Sequence, residues 1–322
     1  MRLDVAAQTD TGRRKNKNED CCGVYQEETP GLRLFSEGAL LCVADGLGGH
    51  MSGEIASKLA VSIVRDMLNS ELPSANGANN GDQSFLTAIR QAILRANESI
   101  WRTNQDLVRG GRPMGTTLLA AIVQPKKVYI GNVGDSRAYH LREGHIIART
   151  EDHSWVDEQD KLGRMSKAEA ESDLRKNIVT RCVGTHPEID VDTYIWNIEP
   201  GDMLLLCTDG LVNMVSDSEI LEIFRKGGTA AEIARRLVER ANENGGKDNI
   251  TVIVANISPS LPRLIWLKIR AIARRTHLTP ALLVFLFFYG LLCAAAGYLF
   301  HLYYPDVLQE LLHKIKVFLD LA

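Results

Sequence analysis

Residues 127–150 read KVYIGNVGDSRAYHLREGHIIART. Three apolar runs of strand length are separated here by two turn signals, Gly134-Asp135 and Glu143-Gly144. Because glycine beside an acidic residue favours the tight turns of β-hairpins, the pattern predicts an antiparallel meander of three strands. Other strand-like apolar runs lie on both sides of this stretch, at 39–45, 117–123, 203–209 and 250–257.

Helical patterning occurs in separate parts of the chain. Two predicted helices have apolar stripes, one with Ile55, Leu59, Ile63 and Met67, the other with Phe85, Ile89, Ala92, Ile93, Ala96 and Ile100. A third predicted helix begins at Thr229, where Glu232 completes a capping box. Since helices and antiparallel strands occupy separate blocks, the sequence predicts an α+β domain rather than a βαβ alternation.

The composition narrows the classes of partner. The chain has 322 residues, is 45% hydrophobic and carries a formal net charge of −3. Because no basic field is available to attract nucleic acid, no nucleic-acid partner is expected. The six cysteines show no C-x-x-C spacing typical of zinc sites, and we expect reduced thiols in a cytoplasmic domain.

The segment 281–304 reads ALLVFLFFYGLLCAAAGYLFHLYY and contains no formally charged side chain. As a helix it would be about 36 Å long, which is enough to cross a bilayer core of about 30 Å. A buried core helix is the alternative, but the segment has no polar face and its aromatic residues collect toward its ends. We therefore predict a single transmembrane helix at 280–304.

This span divides the chain into four predicted parts. A globular domain at 1–257 is followed by a basic juxtamembrane segment at 258–279, the transmembrane helix, and a short amphipathic tail at 305–322. Five basic residues precede the span and two follow it: Arg263, Lys268, Arg270, Arg274 and Arg275, then Lys314 and Lys316. The positive-inside rule therefore predicts a single-pass protein of the cell (inner) membrane. Its globular domain would lie in the cytoplasm, and its basic segment would contact membrane lipid.

Four aspartates lie where apolar strands begin or end. Asp45 and Asp209 each close an apolar run before a glycine, Asp248 precedes the last strand, and Asp135 lies in the first predicted hairpin turn. Any one of them could belong to an ordinary turn. Several carboxylates at one edge of a core would repel one another and need a divalent cation. Oxygen ligands suit Mg²⁺ or Mn²⁺ better than zinc.

Eight stretches of the chain resemble, in the same order, the metal-dependent (type 2C) serine/threonine protein phosphatase family. They are KNKNED (15–20), VADGLGGHMSGE (43–54), MGTTLLAAIV (114–123), NVGDSRAYHLR (132–142), EDHS (151–154), NIVTRCVG (177–184), LCTDGLVNMVSD (206–217) and GGKDNITVIV (245–254). The resemblance covers about residues 4 to 257 and implies a central antiparallel β-sandwich flanked by helices. It also implies hydrolysis of phosphoserine and phosphothreonine on proteins by water that two Mn²⁺ or Mg²⁺ ions activate.

The resemblance assigns the ligands of these two core ions. Asp45 would bridge both ions, with the Gly46 carbonyl as a further ligand, and Asp209 and Asp248 would bind one of them. Glu19 would hold water bound to the other ion.

The resemblance also assigns roles around the core. Asp20 would orient the nucleophilic water, and Asp135 would form a third, weaker metal site with Asp209, a feature found chiefly in bacterial-type members. The charged segment 151–180 would be the flap that shapes substrate access.

The chain departs from the family pattern at two positions. Where the family usually has an arginine that binds the substrate phosphate, this chain has Lys15, with Arg14 as a possible partner in that role. Lysine neutralises phosphate as a point charge, without the bidentate fork of arginine. Leu47 replaces the histidine that animal members use as a proposed general acid, and His50 is one candidate substitute.

The leading hypothesis is therefore a phosphatase that opposes a serine/threonine kinase at the cytoplasmic face of the membrane. An inactive phosphatase-like scaffold is an alternative, although the four intact aspartates argue against lost activity. A receptor whose tail senses a ligand is another, but the residues after Tyr304 are too few to fold alone.

Overall fold

The computed structural model describes residues 2–26, 38–48, 51–71, 81–107, 113–165 and 178–258, with the single residues 169, 173, 175 and 292. Contacts divide the chain after Ser258, and the fold given below is that of the first unit, Met1–Ser258. The predicted juxtamembrane segment, transmembrane helix and tail lie outside the described residues. Within the described residues, no helix combines the length and apolar character needed to cross a bilayer.

The domain is built on two antiparallel five-stranded sheets. The first orders its strands as β1 (Arg2–Asp10), β12 (Ile250–Ser258), β11 (Met203–Cys207), β8 (Arg137–Arg142) and β9 (His145–Arg149). The second orders them as β10 (Asp192–Asn197), β7 (Lys127–Val133), β6 (Leu118–Val123), β3 (Ala39–Ala44) and β2 (Cys21–Gln26). A short pair joins β4 (Gly46–Leu47) to β5 (Gly115–Thr116).

Helices cover the outer faces of the two sheets. The long helices α1 (Met51–Glu71) and α2 (Asp82–Leu107) pack on the second sheet, and α5 (Asp217–Arg225) and α6 (Ala230–Glu243) pack on the first. Two short helices, α3 (Trp155–Lys161) and α4 (Asp209–Val212), lie near the ends of strands. The predicted α+β class and the helix-flanked antiparallel sandwich are confirmed.

The central strands are continuous apolar runs because both of their faces are buried. In β3, for example, Leu41 and Val43 belong to the core between the sheets, whereas Leu40 and Cys42 belong to the core under α1 and α2. A strand that is buried on both sides cannot show a polar alternation, which explains the sequence ALLCVA at 39–44.

The predicted three-stranded meander is wrong at its first turn. β8 and β9 do form a hairpin around Glu143-Gly144, but β7 and β8 belong to different sheets. β7 already has β6 and β10 on its two sides, so no edge remains for β8. The chain instead crosses between the sheets at Gly134, which adopts a φ of +111° that favours glycine.

All three predicted helices are present, and Leu59, Ile63 and Met67 of the predicted α1 stripe are partly buried against the core. The α2 stripe is buried from Ile89 to Ile100, and Thr229 and Glu232 form the predicted capping box of α6. In α1, however, Ile55 is 48% exposed. The buried face of α1 lies one position further along the helix and consists of Ala56, Ala60, Val64 and Leu68.

Candidate metal centre

Strand register brings the predicted carboxylates to one end of the sandwich. In the second sheet Cys21 pairs with Ala44, so Asp20 and Asp45 each lie one residue beyond the same pair. In the first sheet Cys207 pairs with Val252, so Asp209 and Asp248 lie just beyond the matching ends of β11 and β12. The two sheets therefore present these side chains at a shared edge.

Hydrogen bonds join the sheets at this end. The Thr208 hydroxyl donates to Oδ2 of Asp20 over 2.9 Å, and the hydroxyls of Thr117 and Ser136 lie 2.7 Å apart. Thr117 also fixes the backbone of Asp45, because its N–H donates to the Asp45 carbonyl and its hydroxyl accepts from the Asp45 N–H, each over 2.8 Å. The Asp20 side chain and the Asp45 backbone are thus each held by a residue from another part of the chain.

Two glycines allow α1 to approach the carboxylates closely. A Cβ on Gly46 would lie 2.3 Å from the Gly53 carbonyl oxygen and 2.6 Å from the Glu19 carbonyl oxygen. A Cβ on Gly53 would lie 3.2 Å from the carboxyl carbon of Glu19. A side chain at either position would push the first turn of α1 away, so close packing explains why Gly46 and Gly53 are glycines.

The loop that carries Glu19 is held by Asn249, a residue that the sequence analysis did not single out. The buried Asn249 amide donates to the Thr11 and Lys17 carbonyls over 2.9 and 2.8 Å, and its Oδ1 accepts from the Glu19 N–H over 2.8 Å. The sequence GGKDN shows that Asn249 is next to the candidate ligand Asp248. It does not reveal which groups the asparagine side chain binds.

Ionisation of these carboxyl groups is unfavourable, because they are buried and close to one another. Burial raises the pKa of Asp20 to about 7 and that of Asp135 to about 8, and the negative charge of Asp209 adds to both shifts. Burial and neighbouring carboxylates also raise the pKa values of Asp45 and Asp209. A cation at this end would relieve that cost by favouring the ionised forms.

Among the residues that the structure describes, two carboxylate oxygens at this end have no hydrogen-bond partner. These atoms, Oδ1 of Asp20 and Oδ1 of Asp209, are both buried. Unsatisfied buried oxygens are costly, and an all-oxygen donor set of this kind fits a hard divalent cation. In the arrangement seen among the described residues, no three His, Cys, Asp or Glu side chains already surround one point closely enough to hold a metal ion.

Lys15 lies beside the carboxylates rather than apart from them. Its Nζ is 2.6 Å from Oδ1 of Asp248, and both side chains are nearly half exposed. Burial lowers the pKa of Lys15, but the hydrogen bond and charge of Asp248 outweigh burial and raise it overall. The Arg14 side chain is exposed, and His50 lies outside the described residues.

A partly buried arginine, Arg137, lies next to the Asp135 segment, with 22% of its side chain exposed. Arg137 donates to Asp152 through Nε over 2.8 Å and through Nη2 over 2.6 Å, and the Asp152 side chain is only 8% exposed. The charge of Arg137 opposes the upward pKa shifts of Asp135 and Asp209. This arginine lies within the stretch NVGDSR, but the sequence alone does not indicate a role for it.

Comparison with known proteins finds phosphatases that are similar to this chain. A family model described as Protein phosphatase 2C matches residues 13–254. The chain is 38% identical over 249 residues to the serine/threonine phosphatase stp of Listeria monocytogenes, an alignment that covers 76% of this chain and 92% of the relative.

Two similar solved structures are phosphatases named PstP. The crystal structure of Mycobacterium tuberculosis PstP/Ppp matches with a TM-score of 0.67 and 33% identity, over 80% of this chain and 99% of that one. A structure of the PstP catalytic domain in complex with two manganese ions matches with a TM-score of 0.64 and 32% identity, with the same coverage.

Proposed function

Because the chain belongs to the protein phosphatase 2C family and is a metal-dependent serine/threonine protein phosphatase, we propose that the carboxylates at the Asp45 end of the sandwich are its active site. The observation that carries this proposal is the pair of buried, unpartnered carboxylate oxygens on Asp20 and Asp209. They lie among carboxyl groups whose pKa values are raised by burial and mutual repulsion.

Two Mn²⁺ or Mg²⁺ ions would be held by Asp45, the Gly46 carbonyl, Asp209 and Asp248, with Glu19 acting through water. A third, weaker site would use Asp135 together with Asp209. When bound, such ions lower the pKa of a coordinated water and neutralise phosphoryl oxygens.

The chain's own groups would then orient the reactants. Thr208 holds Oδ2 of Asp20, which leaves Oδ1 of Asp20 free to accept a hydrogen bond from the attacking water. Lys15 lies next to Asp248 and offers three N–H donors on a flexible stem, so it would bind the substrate phosphate at the rim. Arg14 is exposed one residue away and would share that contact.

Direct Mn²⁺ titration of the metal-free protein, followed by assay on a phosphothreonine peptide, tests the site. We expect binding and activity in the wild-type protein and the loss of at least one binding event in Asp209→Asn. An Asp209→Asn variant that binds and hydrolyses like the wild type would refute the assignment. A wild-type protein that binds Mn²⁺ without hydrolysing the peptide would indicate a scaffold instead.

We further propose that the phosphatase is anchored in the cell membrane with its catalytic domain in the cytoplasm. The supports are the uncharged segment 281–304 and the excess of basic residues before it. Anchoring would raise the local concentration of phosphoproteins at the membrane, including those of an opposing serine/threonine kinase. A reporter fused after Ala322 should be active only on the extracytoplasmic side, and a cytoplasmic signal would contradict the anchored arrangement.

A further inference from the structure

The position of the Asp135 carboxylate depends on its own backbone. Asp135 follows the Gly134 crossing between the sheets, and its side chain is almost fully buried. Gly134 directly precedes it in the chain and is buried as well. Whatever fixes the backbone of Gly134 therefore also restricts where this carboxylate can lie.

The residue that fixes the Gly134 backbone is His153. The Gly134 N–H donates to Nδ1 of His153 over 3.0 Å, and the His153 N–H donates back to the Gly134 carbonyl over 3.0 Å. His153 is only 1% exposed, so solvent does not compete for either bond. One residue thus holds both polar groups of the glycine that precedes Asp135.

The imidazole of His153 is held in one tautomer. Because Nδ1 accepts from Gly134, the ring proton belongs on Nε2, which lies 3.1 Å from Oδ2 of Asp192. Asp192 begins β10 and pairs with Asn132 of β7, so it is attached to the strand that leads into the crossing. Arg181 donates to the other oxygen of Asp192 over 3.2 Å and completes the support.

His153 also lies near the start of the segment 151–180, where it contacts the residues at the end of that segment. Its carbonyl accepts from the Thr180 N–H over 2.8 Å, and the next residue, Ser154, forms a β-bridge with Val179. The same residue therefore connects the base of this segment to the peptide before Asp135.

We propose that His153 is a positioning residue that fixes the Asp135 carboxylate by holding Gly134 on both sides, with its ring supported by the Asp192 side chain and its backbone by the base of segment 151–180. The inference rests on the proposed metal-binding role of Asp135. Residues that orient a metal ligand from outside the coordination sphere typically affect metal affinity 10- to 100-fold when they are replaced. The weakest Mn²⁺ site should therefore depend on His153 although His153 does not contact Asp135.

Mn²⁺ titration calorimetry on the full chain tests this proposal with two closely matched variants. His153→Asn places an amide oxygen near the position of Nδ1 and can still accept from Gly134, whereas His153→Leu offers no acceptor. Asp135→Asn should remove one Mn²⁺ binding event. We expect His153→Leu to weaken the Mn²⁺ affinity of that same event by about 10- to 100-fold. His153→Asn should retain most of that affinity. The fall in kcat should likewise be larger for His153→Leu than for His153→Asn, while the KM for peptide stays constant.

His140 provides the matched control. It forms another buried imidazole–carboxylate pair, with Nε2 2.8 Å from Oδ2 of Asp202. Asp202 precedes β11 and Asp209 follows it, so this pair lies at the opposite end of the strand from the carboxylates. His140→Leu should lower the melting temperature but leave Mn²⁺ affinity and kcat unchanged.

The outcomes distinguish failure of the positioning role of His153 from failure of the metal-binding role of Asp135. If Asp135→Asn removes a binding event that both His153 variants keep at wild-type affinity, the positioning role is refuted and the metal site stands. If Asp135→Asn removes no event, the third metal site fails and the positioning role fails with it. If His153→Leu does not fold, His153→Gln replaces it, because a glutamine amide reaches the Nε2 position and leaves Gly134 without its acceptor. Equal affinity in the Asn and Gln variants would then refute the proposal.

Discussion

Replacing Asn249 with alanine should affect stability and catalysis together. The substitution removes three hydrogen bonds of 2.8 to 2.9 Å that join the start of β12 to Thr11, Lys17 and Glu19. At about 1 kcal/mol for each bond, the loss amounts to about 3 kcal/mol. For a domain of this size, that corresponds to a fall of about 6–12 °C in melting temperature.

The catalytic loss should exceed what unfolding explains. Asn249 holds the backbone of Glu19, and Asp20 is the next residue, so the variant displaces two candidate site carboxylates while the protein is still folded. A displacement of about 1 Å at a reacting group costs about 100-fold in rate. We therefore expect kcat on a phosphothreonine peptide to fall about 100-fold at a temperature where the variant is fully folded.

Asn256→Ala is the matched control. Asn256 lies on the same strand, about 23 Å further along, and donates two longer bonds of 3.2 and 3.3 Å to Asp4 and Gly228. At the same rate its two bonds should cost at most about 2 kcal/mol, and the substitution should leave kcat and the stabilisation by Mn²⁺ unchanged. The reasoning is refuted if Asn249→Ala loses stability but keeps kcat within twofold of the wild type, or if both variants behave alike.

Four further outcomes are expected. Chelation with EDTA should abolish activity and Mn²⁺ should restore it; activity that survives thorough chelation would exclude a metal-activated water. Asp45→Asn and Asp209→Asn should each lower kcat by several orders of magnitude, and a loss confined to KM would contradict their role as ligands. Lys15→Ala should mainly raise KM and Lys15→Arg should not, whereas damage from Arg14→Ala alone would reassign the phosphate contact. Burial opposes ionisation of Asp202, but hydrogen bonds from a guanidinium, a backbone N–H and an imidazole outweigh it and lower its pKa. Asp202 therefore stabilises the fold above its ordinary pKa of about 3.9 and loses that contribution as pH falls through the lowered value. Asp202→Asn should be less stable than the wild type in urea at pH 7 and should converge with it in strong acid; a constant difference would contradict this linkage.

The parts of the fold that the sequence predicts are those set by local pattern. Continuous apolar runs identified the central strands, and the Thr229–Glu232 capping box identified the start of α6. The carboxylates at strand ends could also be located, because a charged residue directly after a buried run must lie at an edge of the core. Their roles as metal ligands stay predictions until binding is measured.

The errors have tertiary causes. Gly134-Asp135 has the chemistry of a hairpin turn, but both neighbours of β7 are already taken, and pairing of distant strands is not readable from a turn. In α1 the small residues Ala56 and Ala60 are buried and Ile55 is exposed, because the contact of Gly53 with Gly46 brings the helix close to the sheet. Asn249 and His153 act through partners that are remote in the chain, so neither role could be inferred from local pattern.

The pairing of β1 with β12 has a consequence for how the protein forms on the ribosome. β1 lies at an edge of its sheet, and its nine residues pair with the last nine of the domain, Arg2 opposite Ser258 and Asp10 opposite Ile250. During synthesis from the N-terminus, β1 can therefore pair with β12 only after residues 250–258 have emerged from the ribosome. A nascent chain cut short before Asp248 would lack the strand that separates β1 from β11, and Lys15 and Glu19 would have no Asp248 and Asn249 to contact. Truncated products should consequently be inert toward phosphoproteins, so that hydrolysis begins only after translation of the whole domain.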